Sequence, residues 1–111
     1  DPLVWDTCGW ILYRTGGDQE QARELLERAH LFIVSQDSRS VAEILGGDAG
    51  IVAYHYGKLL LETGQKERGS RLIEMAVAAG LQSPEELKEA QNILRPAERE
   101  NKPAEAAGPG E

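Results

Sequence analysis

The sequence predicts an all-α fold: two antiparallel helix hairpins, a helical insert between them and a C-terminal capping helix. Three observations predict it. First, Gly9-Trp-Ile-Leu-Tyr-Arg-Thr-Gly16 returns as Gly57-Lys-Leu-Leu-Leu-Glu-Thr-Gly64, two glycines at equal separation around a mostly apolar run. Second, Ala22, Leu26 and Ala29 return as Gly69, Ile73 and Ala76, a small, a large and a small residue at helical spacing. Third, Ser83-Pro84-Glu85-Glu86 joins a capping Ser, a first-turn Pro and a reciprocal Glu, the start signal of a helix. A pattern written twice in this way builds an array whose surfaces serve binding.

The elements follow in order. Asp1 can cap a first helix with Pro2 at its first position, running to about Thr15, where Gly16-Gly17 stops it. Asp18 with Gln21 resembles a capping box for a second helix, whose apolar face is Ala22, Leu25, Leu26, Ala29 and Ile33. These two form a hairpin over about residues 2–33. Asp48 can cap a third helix, roughly Ala49 to Thr63, and Gly64-Gln65 turns into a fourth, roughly Lys66 to Ala79, giving a second hairpin over 49–79. Ser83 opens the closing helix, expected to end near Arg95 and to cover the open end of the array.

Gly9 and Gly57 fall inside helices, where Gly costs about 1 kcal/mol against Ala. Their recurrence, with small Ala22 and Gly69 on the partner helices, indicates close helix approach. The interval from Gly9 to Gly57 is 48 residues (57 − 9), about 14 more than a 34-residue helical repeat needs. The surplus, residues 35–48, reads either as a tolerated loop or as a short helix. In the second reading Ser40 to Glu43 forms a capping box, Gly46-Gly47 ends the helix, and Val41, Ile44 and Leu45 lie against the groove or the neighbouring repeat. From Pro96 to Glu111 the chain is rich in Pro, Ala, Gly and charge, a composition that favours a solvated, disordered tail.

Composition narrows the function classes. The formal charge of −7 disfavours a nucleic-acid backbone as ligand, because phosphate binding needs a basic stripe. No apolar run is long enough to cross a bilayer, so membrane insertion is not expected. The absence of an initiator Met before Asp1-Pro2 suggests a piece of something longer. The single cysteine, Cys8, cannot form an internal disulfide and occupies a packing slot, where a buried apolar role is expected.

Trp5, Cys8-Gly9 and Leu12, followed by Ala22 and Leu26, resemble the tetratricopeptide repeat, whose pattern runs Trp, two residues, Leu-Gly, two residues, Tyr, then Ala, three residues, Phe. Cys8 stands where the pattern has Leu, Leu12 where it has Tyr, and Leu26 where it has Phe. The second unit supplies Ala53, Tyr56, Gly57, Leu60, Gly69 and Ile73. The first turn is one residue longer than the second, and the Pro that often closes a repeat is missing from both. The likeness covers most of residues 1–79. A narrower resemblance rests on Asp6 to Arg14, Tyr54-His55-Tyr56-Gly57 and the Ser-Pro-Glu-Glu helix with Glu89 to Leu94. These look like the C-terminal end of bacterial envelope proteins of the same repeat class, associated with exopolysaccharide export and protein sorting. That resemblance implies a periplasmic or outer-membrane-anchored scaffold; a cytoplasmic array is the alternative.

What the resemblance implies for function is a concave surface lined by the first helices of the hairpins. With Trp5, Cys8, Gly9 and Leu12 assigned to packing, Asp6, Trp10, Tyr13 and Arg14 would face that groove. The same logic places Tyr54, Lys58 and Leu61 there from the third helix. Such a groove would hold a segment of another protein. Trp10 and Tyr13 have a second reading, as packing against the insert or an upstream repeat. The paired Lys and Asn residues of carboxylate-clamp domains are not reproduced.

Catalysis is not expected. His30 and His55 lack metal-site spacing, and both read as packing or surface residues. No phosphate loop, nucleophile elbow or paired-carboxylate motif is present, and no cofactor is implied. Two expectations remain: a non-catalytic module binding another protein in its groove, or a structural unit stacking on copies of itself or on upstream repeats.

Overall fold

The computed structural model describes the backbone of residues 2–101 and the side chains of residues 2–95. Six helices follow one another: α1 (Pro2–Arg14), α2 (Gln19–Val34), α3 (Ser38–Leu45), α4 (Ile51–Glu62), α5 (Lys66–Ala79) and α6 (Pro84–Asn101). The helices α1 and α2 pack as one hairpin and α4 and α5 as another; α2 meets α4, and α6 lies on α5. The insert is thus a helix, capped by Asp37 through the Ser40 amide (2.8 Å) and ended by Gly46 at φ 64°. Ser40, expected as its cap, lies within its first turn. The closing helix passes Arg95 and runs to Asn101; residues 102–111, the end of the expected tail, lie outside the described residues.

The duplication holds at the level of single atoms. A Cβ on Gly9 would meet Leu26 Cγ at 2.9 Å, Ala22 O at 3.1 Å and Leu25 Cβ at 3.1 Å; one on Gly57 would meet Ile73 Cδ1 at 3.0 Å, Gly69 O at 3.1 Å and Leu72 Cβ at 3.1 Å. Each glycine lets the partner helix's backbone approach where a methyl group would collide. The turns repeat as well. Thr15 and Thr63 bond back to the carbonyls of Ile11 and Leu59, and Gly16 and Gly64 take φ of 76° and 97°. The amides of Gly17 and Gln65 then close on the carbonyls of Leu12 and Leu60. After that the units part company. In the first, the cap is a further residue, Asp18, whose carboxylate accepts from the Glu20 and Gln21 amides; in the second, Gln65 both closes the turn and caps α5, without a side-chain bond.

Three buried clusters fill the interior. Ala22 and Leu26 of α2 pack with Tyr56, Leu59 and Leu60 of α4 and Leu72 of α5. Ile73 and Ala76 of α5 pack with Tyr54 and, from α6, Ala90, Ile93 and Leu94. Leu45 of the insert joins Ala29 and Val52, flanked by Trp5, Val41 and Ile44. The insert is therefore a helix whose Val41, Ile44 and Leu45 lie against residues of both hairpins, Ala29 and Val52.

Asp48 does not cap α4. Its Oδ1 accepts instead from the Gln82 amide at 3.0 Å, tying the loop before α4 to the one before α6. The cap position falls to Gly50, and α4 begins at Ile51. A Cβ at Gly50 would lie 2.2 Å from Ala76 O, and its amide donates to Gly80 O at 2.8 Å. Only a residue without a side chain fits there. Cys8 is exposed rather than buried. The slot assigned to it by pattern is open to solvent.

Candidate binding cleft

A cleft of about 730 Å³ opens between α1, α4 and α6. Trp10, Tyr13 and Arg14 line it from α1, Tyr54, Lys58 and Glu62 from α4, and Glu85, Glu86 and Glu89 from α6. Helical spacing brings each trio to one side of its helix. Five of the seven residues expected in a groove, Trp10, Tyr13, Arg14, Tyr54 and Lys58, are thus brought together. No α3 residue lines the cleft, so the insert neither blocks nor builds it. It borders a separate apolar cavity of about 510 Å³ between α2, α4 and α5.

Two expected residues are elsewhere. Asp6 is buried, at 3% exposure, and both its carboxylate oxygens lie 2.9 Å from His55 Nδ1. A carboxylate only accepts, so Nδ1 is the donor in this pair. Trp10 stacks on the His55 ring, 4.0 Å between centroids at 14°, and roofs the pair. Leu61 turns toward α5 because Gly69, having no side chain, leaves a hollow for it: a Cβ there would lie 2.8 Å from Leu61 Cγ. It packs with the cluster of Tyr54 and Ile73.

The aromatic floor is continuous. Trp10 lies 5.3 Å from Tyr13 and 6.4 Å from Tyr54, with the Arg14 guanidinium 5.9 Å over its ring. The Tyr13 hydroxyl is enclosed without a well-formed hydrogen bond. Burial, with the Glu62 carboxylate beside it, holds its pKa above that of a free phenol. Burial and then Glu89 do the same to Tyr54, whose hydroxyl donates to Glu89 Oε1.

The acidic wall comes from α6 and was missed in the sequence. Glu85, Glu86 and Glu89 share a helix face by spacing, which the sequence does show; that this face turns toward α4 it does not. Lys58 pairs with Glu89, so this expected groove cation is already engaged within the fold. The bonds from Lys58 and Tyr54 hold the Glu89 carboxyl below its ordinary pKa. Burial raises that of Glu86, whose Oε2 lies 3.9 Å from His55 Nε2. Four carboxylates, Glu62, Glu85, Glu86 and Glu89, therefore face two cations, Arg14 and Lys58, giving the cleft an excess of negative charge.

Among the described residues no three His, Cys, Asp or Glu side chains are grouped to hold a metal ion, and no helix is long and apolar enough to cross a membrane. No family model, curated protein or solved structure matches this chain. The fold and cleft define an all-helical domain of two paired hairpins with a closing helix.

Proposed function

We propose that this chain is a non-catalytic protein-binding module of tetratricopeptide-repeat type, whose cleft between α1, α4 and α6 holds a cationic segment of a partner protein. The observation that carries this reading is the meeting of three aromatic rings with an acidic wall in one open cleft. Aromatic faces supply contact area and attract cations, and the unpaired carboxylates favour Lys or Arg side chains over acidic ones. The duplicated glycine contacts and turns support the repeat class. The resemblance of the closing segment makes a bacterial envelope or polysaccharide-export assembly the setting proposed for it.

Titration with short Lys- and Arg-containing peptides, and with acidic counterparts, tests this through the change in tryptophan fluorescence, to which Trp10 in the cleft contributes. Cationic peptides should bind saturably and more weakly as salt rises. Glu62→Lys and Glu85→Lys, both at exposed positions, should each weaken binding about tenfold, a difference of about 1.4 kcal/mol, without changing the melting temperature. Equal binding of cationic and acidic peptides, or indifference to both substitutions, would overturn the reading.

A further inference from the structure

The cavity of about 510 Å³ that the insert borders differs in chemistry from the cleft. α3 contributes Val41 and Ala42 to its wall, α2 Ile33 and Val34, α4 Ala53 and α5 Met75. Asp37 and Gly46 fix the two ends of α3, and Leu45 anchors it among Ala29 and Val52, so this wall is a packed helix rather than a loop. The volume is roughly three times that of a cavity holding one benzene ring, and falls within the range of small-molecule sites. Val34 and Met75 are half-exposed, which makes the rim apolar as well.

Two features of the lining select the ligand. Among the described residues no Asp, Glu, Lys or Arg lines the cavity, although 28% of the chain is charged. An ion entering it would give up water for no countercharge, which is costly. The second feature is His30. Its ring lies 5.5 Å from that of Tyr56, and it makes no hydrogen bond to a described residue. Burial, and then the Arg68 guanidinium, lower its pKa, so the imidazole is neutral near pH 7 and keeps one donor and one acceptor.

We propose that this cavity is a binding site for an uncharged, largely apolar small molecule of two or three rings, or an alkyl body of that size, whose single polar group hydrogen-bonds to His30. The site is separate from the cleft and does not rest on the function proposed for it.

The probe is N-phenylnaphthylamine, an uncharged dye with one N–H, set beside anilinonaphthalenesulfonate, the same ring system carrying a sulfonate. Titrations of the native protein, followed by dye emission, should show saturable binding of the uncharged dye at one per chain, at least about tenfold tighter than its sulfonate. Ala42→Trp, at an exposed position of α3, should fill the cavity and weaken binding at least about tenfold, with helicity by circular dichroism unchanged. Met75→Lys should act in the same direction, His30→Phe should cost about fivefold, the worth of one hydrogen bond, and Glu62→Lys in the cleft should change nothing. Equal affinity for the two dyes, or binding indifferent to Ala42→Trp and to His30→Phe, would overturn the proposal. So would a protein dimer that the dye dissociates, since the apolar walls would then serve a second copy.

Discussion

Asp6 and His55 form a buried pair that joins the two hairpins, with both carboxylate oxygens 2.9 Å from the same imidazole nitrogen. Removing either side chain strands a polar group where water does not reach. Asp6→Ala should cost about 1–3 kcal/mol, measured by urea unfolding, and Asp6→Asn, which keeps an acceptor, should cost less. An Asp6→Ala chain as stable as wild type would show that the pair holds nothing together.

Gly9→Ala and Gly57→Ala should reverse the usual helix propensity. Substituting Ala inside a helix normally gains about 1 kcal/mol. Here the added methyl would stand 3.1 Å from Ala22 O or Gly69 O, and crowding of this kind costs about 1–3 kcal/mol. Lower urea midpoints in both variants are expected; a rise in either would mean that its hairpin relaxes without loss.

These glycines also show what the sequence made legible. A small residue on each of two helices is a local signal, and duplication doubled it, so the hairpins, both turns, the Asp18 cap and the Ser83 cap, which accepts from the Glu86 amide at 3.2 Å, were readable. Asp6 with His55 was not. The register pairs Asp6 with Tyr54 and Thr7 with His55, so the contact exists once and breaks the symmetry of the duplicated units. Asp48 was misplaced for a similar reason: a capping residue before a helix does not reveal a competing amide 34 positions away. Cys8 was assigned to a buried slot because a repeat pattern presumes neighbours on both sides.

Trp10→Ala should reduce both binding and stability. The ring is half-buried and stacked on His55, so a loss of about 2 kcal/mol is expected, below the 3–5 kcal/mol of a fully buried aromatic. Thermal melts of this variant beside Glu62→Lys would separate the two effects, since only Trp10→Ala should melt earlier.

The seat of α6 carries two carboxyls whose pH dependences oppose each other. Glu89 sits below its ordinary pKa, so its contribution is present above the unfolded value near 4.5 and is lost as pH falls through the lower folded one. Glu86 sits above its ordinary pKa, so its contribution is present below the unfolded value and is lost as pH rises through the higher folded one. Melting temperatures across pH 3–7 should show a shallower acid loss in Glu89→Gln than in wild type. Glu86→Gln should gain at neutral pH and converge with wild type in acid.

The Gly50 amide bond to Gly80 O gives the two hairpins different mechanical characters. The second is fastened at both extremities, by the Gly64 turn and by this clasp. The register sets Pro2 where Gly50 stands, and a proline has no N–H to offer, so at that position the first hairpin is closed by side chains instead, Trp5 packing edge-on against Phe32 with the Arg28 guanidinium over its ring. One hairpin thus ends in a directional main-chain bond and the other in side-chain contacts that can slide, so amide exchange is expected to be faster around Trp5 than around Gly50.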